Sequence, residues 1–139
     1  MRVQELYKWE SEHDDKWFPT ISNYQPILNS FGEIVIQVDD CDYQGDSRVL
    51  YNAGGAYGWL QFGWGSCSGC DSLQACGSWE DVQELSDSLE NSIKWFGSAF
   101  EALLFFREHD WEGDYSWDDG EQAEFVKKCE EYLLKALEG

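Results

Sequence analysis

The stretch SRVLYNAGGAYGWLQFGWGSCSGCDSLQAC, residues 47–76, decides the fold. It opens with two strand-like runs, 47–52 and 56–64. Ala53-Gly54-Gly55 between them supplies a hairpin turn, because glycine tolerates positive φ. In the second run Leu60, Phe62 and Trp64 share a face with Gly58, while Tyr57, Trp59 and Gln61 take the other. Both faces carry aromatics, so helices must cover at least one. Upstream, residues 33–39 also have period two. Ile34, Ile36 and Val38 lie on one face and Glu33, Gln37 and Asp39 largely on the other, the pattern of a half-buried strand. A three-stranded antiparallel sheet is expected.

Helices flank it. Ser78 with Asp81 three residues on is a capping-box-like start. Val82, Leu85, Leu89, Ile93, Phe96, Phe100 and Leu103 then recur at three and four residues, which predicts one long helix. Gly97 would bend it, at a propensity cost of about 1 kcal/mol relative to Ala. A final helix from Glu121 places Phe125, Val126, Cys129, Leu133 and Leu137 on one face. Before the sheet, Val3, Leu6, Tyr7 and Trp9 suggest a short helix, and Pro26, Ile27 and Leu28 another that ends near Gly32. The fold class is α+β: a small antiparallel sheet packed against a long helix and a C-terminal helix, with short N-terminal helical segments. One domain spans residues 1–139, a length that buries about two-thirds of the unfolded surface.

Charge narrows the partners. Twenty-eight acidic residues against nine basic ones leave a formal net charge of -19. A disordered acidic chain is poor in aromatics, whereas 17% of this one is Phe, Trp or Tyr, so an acidic coat on a folded body is expected. Direct binding to nucleic acid or an anionic membrane is excluded, because proteins that do so carry a basic footprint. A basic protein surface is the natural partner. There is no apolar run of the roughly 18–20 residues that span a bilayer, and the start, MRVQELYKWESEHDD, lacks the apolar core of a signal peptide. A cytoplasmic location is expected.

The five cysteines point to chemistry of another kind. Cys67, Cys70 and Cys76 lie in a Gly-rich turn, as a soft cation would require. Zinc takes four ligands, and Cys41, Asp71, His13 or His109 could supply the fourth. A dithiol redox site is a second reading of Cys67-Ser68-Gly69-Cys70. However, no βαβ unit precedes the motif, and both prolines, Pro19 and Pro26, lie upstream of it. The plainest reading is that small residues allow a tight turn and cysteine packs as a small buried hydrophobe, as expected for Cys129.

The run Tyr43-Gln44-Gly45-Asp46, then Arg48-Val49-Leu50, Tyr57-Gly58-Trp59-Leu60 and Phe62-Gly63-Trp64-Gly65-Ser66-Cys67-Ser68-Gly69-Cys70-Asp71, resembles a family of small uncharacterised proteins from bacteriophages and bacteria. The resemblance implies a phage or mobile-element origin, hence the host cytoplasm, and carries no activity.

Three clusters of carboxylates are the candidate contact surfaces. Asp39, Asp40, Asp42 and Asp46 lie at a strand end. Glu80, Asp81, Glu84, Asp87 and Glu90 lie at helical spacing off the apolar stripe, with no Lys or Arg between Val49 and Ile93. Asp110, Glu112, Asp114, Asp118 and Asp119 form the third, with Trp111 and Trp117 among them as aromatic contacts. A row of charges a few ångströms apart imitates the charge pitch of a nucleic-acid backbone. A helix face made only for solubility usually mixes signs for i, i+4 support. Asp110, Glu112, Asp114, Ser116, Asp118 and Glu121 also occupy the ligand positions of an EF-hand-like loop, but Tyr115 stands where the turn wants Gly, so calcium is disfavoured.

No nucleophile, base or phosphate loop stands at catalytic spacing, and His13 and His109 read as surface side chains in acidic surroundings. The chain is therefore expected not to be an enzyme and to need no cofactor. The expected function is a binding or inhibitory protein, a nucleic-acid mimic acting on a basic nucleic-acid-binding host defence protein, of the anti-restriction or anti-CRISPR type. The alternatives are an immunity protein that neutralises a cationic toxin, and a zinc or thiol-redox protein centred on the cysteines.

Overall fold

A computed structural model describes residues 3–6, 24–39, 45–64, 76, 78–109, 111 and 121–138. The elements are α1 (Val3–Leu6), α2 (Gln25–Ser30), β1 (Glu33–Asp39), β2 (Gly45–Ala53), β3 (Ala56–Trp64), α3 (Trp79–Ser92), β4 (Lys94–Phe96), α4 (Ala99–Glu108) and α5 (Glu121–Glu138). The strands form one antiparallel sheet in the order β1-β2-β3-β4. The fold is α+β, with four strands rather than three.

The β2–β3 hairpin closes on the two glycines. Ala53 pairs with Ala56, and Gly54 and Gly55 take φ of 64° and 97°. Positive φ at both central residues makes a turn whose twist matches that of the flanking strands. The Asn52 side-chain oxygen accepts from the Gly55 N–H at 3.0 Å.

Two cores sit on opposite faces of this sheet. On one, Val49, Tyr51 and Leu60 meet Val3, Ile27, Leu28, Val82, Leu89 and Ile93, with Phe62 and Trp64 against them. On the other, Leu50, Tyr57 and Phe96 meet Ala102, Leu103 and Phe106 of α4 and Phe125, Cys129 and Leu133 of α5, with Trp59 alongside. The face assignment expected for β3 holds, and helices cover both sides. The Tyr51 hydroxyl donates to the Leu28 carbonyl at 2.7 Å, fixing α2 on the sheet, and the Val3 N–H donates to Gln83 at 2.9 Å, fixing α1 on α3.

Two expectations are corrected. Ile34, Ile36 and Val38 do not share a face: Ile34 pairs with Tyr51 and Ile36 with Leu50, so Val35 is an extra residue in the ladder. A bulge of this kind shifts the alternation. It sends Ile34 to the first core and Ile36 and Val38 to the second. Nor is there one long helix from Ser78 to Leu103. Ile93 is extended, with ψ 127°, β4 follows, and α4 starts after Ser98. The residues of the supposed single stripe belong to different cores. Val82, Leu89 and Ile93 fill the first and Phe96 and Leu103 the second. A straight helix cannot reach both faces of a sheet, so the chain crosses its edge as a strand.

Candidate functional site

The outer face of α3 carries five exposed carboxylates and no cation. Ser78 caps the helix, its side-chain oxygen accepting from the Asp81 N–H at 3.1 Å. Val82, Ser86 and Leu89 turn inward. That orientation leaves Glu80, Asp81, Glu84, Asp87 and Glu90 exposed. At 1.5 Å of rise per residue, Glu80, Glu84 and Asp87 span about 10 Å of helix axis opposite the buried stripe. Glu80 and Asp81 lie in the first turn, where the free N–H groups favour negative charge. The rest of the row has no such support.

Among the described residues, Glu80, Glu84, Asp87 and Glu90 form no ion pair. The pairs present are Arg48 with Asp46 and Lys128 with Glu124. Asp87 accepts from the Gln83 side chain at 3.0 Å, a neutral donor. Like charges three or four residues apart on a helix each cost about 0.2–0.5 kcal/mol. Glu80–Glu84, Asp81–Glu84, Glu84–Asp87 and Asp87–Glu90 all stand at that spacing. The face is held in a repulsive state by the cores beneath it.

The strand-end cluster is arranged differently. Asp46 lies beside Arg48, whose side chain is 1% exposed, with Nη2 to Oδ2 at 4.0 Å. Asp46 also accepts from Gln61 at 3.5 Å. It acts as an internal counter-ion for the buried guanidinium. Asp39 is exposed and accepts from Gln37 at 3.2 Å; Gln37 in turn exchanges hydrogen bonds with Gln25 of α2. Asp40 and Asp42 lie outside the described residues, as do Asp110, Glu112, Asp114, Trp117, Asp118 and Asp119.

Trp111 is engaged within the fold. Its ring stacks on Phe106 at 5.5 Å and 11°, and its indole N–H donates to the Phe106 carbonyl at 2.8 Å. Trp59 meets it edge-on at 5.3 Å. His109 lies 4.5 Å from Trp111, 4.8 Å from Phe105 and 5.9 Å from Trp59. This corrects the expectation of a surface histidine. The chain leaves α4 at His109 and turns over the indole of β3, carrying the imidazole into an aromatic cluster. Such a cluster is invisible to local spacing, since β3 and the end of α4 are far apart in sequence.

Cys129 is fully buried, and burial, then the nearby Glu130 charge, pushes its thiol well above the ordinary range. It packs as a hydrophobe, as expected. Cys76 is half-buried against the first core, while Cys41, Cys67 and Cys70 lie outside the described residues. Among the described residues no three His, Cys, Asp or Glu side chains converge as metal ligands, and no helix is long and apolar enough to cross a membrane. Comparison of the chain with family models, with curated proteins and with solved structures returned no match.

Proposed function

We propose that this chain is an acidic binding protein that occupies the nucleic-acid site of a basic protein, with α3 as the contact face. The supporting observation is the row Glu80, Glu84, Asp87 and Glu90, solvent-facing and forming no ion pair among the described residues. Unsatisfied like charges on a rigid helix are a stability cost in the free protein and a gain once cations cover them. Electrostatic complementarity of this kind speeds encounter and selects the partner more than it sets final affinity. A host defence protein that binds nucleic acid, as in restriction or CRISPR immunity, offers such a basic cleft. A phage or mobile-element origin suits that role.

The test is capture from host lysate on immobilised protein at low salt, followed by elution with a salt gradient and, separately, with duplex DNA. Basic nucleic-acid-binding proteins released by both eluents support the reading. Capture that is unchanged from low to high salt opposes it. The triple variant Glu80→Lys, Glu84→Lys, Asp87→Lys should lose capture while keeping its far-ultraviolet circular dichroism.

A further inference from the structure

We infer that residues 93–98 are a hinge between two forms of this fold: the edge strand described above, and a helix that joins α3 to α4 and passes α4 and α5 to a second copy of the chain. Local pattern and global fold disagree at this segment. Val82, Leu89, Ile93, Phe96, Phe100 and Leu103 recur at helical spacing without a break, yet Ile93 is extended and Lys94–Phe96 is a strand. Such a conflict is where a second packing of one sequence competes with the first. The strand form is lightly held. β4 has three ladder partners, Tyr57, Gly58 and Trp59, and lies at the sheet's edge. It also leaves two large rings in solvent, Trp95 (44%) and Phe100 (56%). Of the six residues of the helical stripe, Phe100 alone is exposed.

The division of the cores makes the exchange possible. Among the described residues, α3 contributes only to the first core, and α4 and α5 only to the second. Within one molecule a straight helix cannot serve both faces of the sheet. Across two molecules it can: α3 stays on its own sheet, while α4 and α5 take the place on the copy's sheet that the copy's α4 and α5 have left. The exchange itself fixes the occupant, because only a second copy carries the sheet face that fits these helices, and the contacts of the second core are remade between chains. Two terms hold the free chain in the strand form. Gly97 and Ser98 are poor residues for a helix interior, and two chains of net charge -19 repel each other. The inference goes beyond the proposed function and does not rest on it.

The test is refolding from urea at high protein concentration, in salt sufficient to screen the charge of both chains, followed by sedimentation and far-ultraviolet circular dichroism. The expected product includes a species of twice the 16.1 kDa chain mass, richer in helix than the monomer and slow to revert, because reversal must open the second core. Gly97→Ala combined with Ser98→Ala favours a helix through the hinge and removes the cap of α4, so it should raise the association constant more than about tenfold. A Cβ at Gly97 would meet only the Glu101 carboxylate, at 3.4 Å, so the variant monomer should still fold. Inserting two glycines between Gly97 and Ser98 breaks the joined helix and turns the stripe out of phase, and it should leave monomer alone. If the wild type and the double-alanine variant both stay at 16.1 kDa, the inference is overturned. A dimer with no more helix than the monomer also overturns it, as does one that forms equally in the wild type and both hinge variants, since that is association of surfaces without exchange.

Discussion

Trp95 lies directly across the ladder from Gly58, and its ring covers the glycine so closely that a Cβ there would come within 2.8 Å of Trp95 Cζ3 and of Ile93 Cγ2. The contact holds the short edge strand β4 against β3 at the point where the chain passes from one core to the other. A side chain at 58 would have to lift the indole, Ile93 or both. Overpacking of this kind costs about 1–3 kcal/mol. Gly58→Ala should therefore lower the free energy of unfolding by that amount, read as a lower urea midpoint at unchanged slope, and Trp95→Ala combined with Gly58→Ala should recover part of the loss. A Gly58→Ala protein as stable as the wild type would show that β4 moves away freely.

The restart of the helix after β4 rests on two reciprocal bonds. The Ser98 side-chain oxygen accepts from the Glu101 N–H at 3.2 Å, and the Glu101 carboxylate accepts from the Gly97 N–H at 3.0 Å. Ser98→Ala should cost about 1 kcal/mol, the usual value for a lost N-cap. Chemical denaturation measures it. A change of a few tenths or less would place the start of α4 under the control of the core alone.

That Ser-x-x-Glu signal stood in the sequence at residues 98–101. It lies inside a run of apolar residues whose spacing stays helical from Val82 to Leu103. Periodicity records which side of a helix is apolar but not which core that side faces, so a crossing between two cores looks like continuity. The hairpin, the faces of β3 and the start of α5 were legible because each depends on neighbours a few residues away. The bulge at Val35 was not, since it is set by the pairing of Ile34 with Tyr51 and of Ile36 with Leu50. For the candidate site, the carboxylates of α3 were legible as a row because the capping serine and the inward Val82 and Leu89 fix the helix rotation. The commitment of Asp46 follows from the burial of Arg48 two residues on, and that of Trp111 from its edge-on contact with Trp59 of β3, and neither shows in residue spacing.

Tyr51 and Cys129, and to a smaller extent Tyr57, are buried acids that should weaken the fold at alkaline pH. Burial raises the Tyr51 hydroxyl above its ordinary value of 10.0 and the Cys129 thiol above 9.0. Unfolding lets both ionise at their ordinary values, so the unfolded state binds fewer protons above those pH values. Stability is then full below about pH 9 and falls as pH rises toward the raised folded-state values, by up to roughly 1.4 kcal/mol per unit for each group. Cys129→Ala should remove the part that begins near pH 9, at the cost of a cavity. Tyr51→Phe should flatten the part above pH 10 and lose about 1 kcal/mol at neutral pH with the Leu28 hydrogen bond. Denaturant titrations from pH 7 to the alkaline limit read both, and a wild-type profile flat through that range would contradict the assignment.

The anionic face makes the converse prediction, a stabilising substitution that damages function. Glu84 has Glu80, Asp81 and Asp87 within one turn, all exposed. Replacing it with Lys turns three repulsions into attractions, each about 0.2–0.5 kcal/mol in either sign. Glu84→Lys should therefore stabilise the free protein by about 1–3 kcal/mol at low ionic strength, and the gain should shrink with added salt. The same variant should bind its basic partner more weakly. Thermal unfolding at low and high salt, set beside capture from lysate, separates the two effects. If α3 were only a solvated face, Glu84→Lys would raise the melting temperature and leave capture unchanged. A rise in stability coupled to a loss of binding is what a surface kept charged for a partner produces.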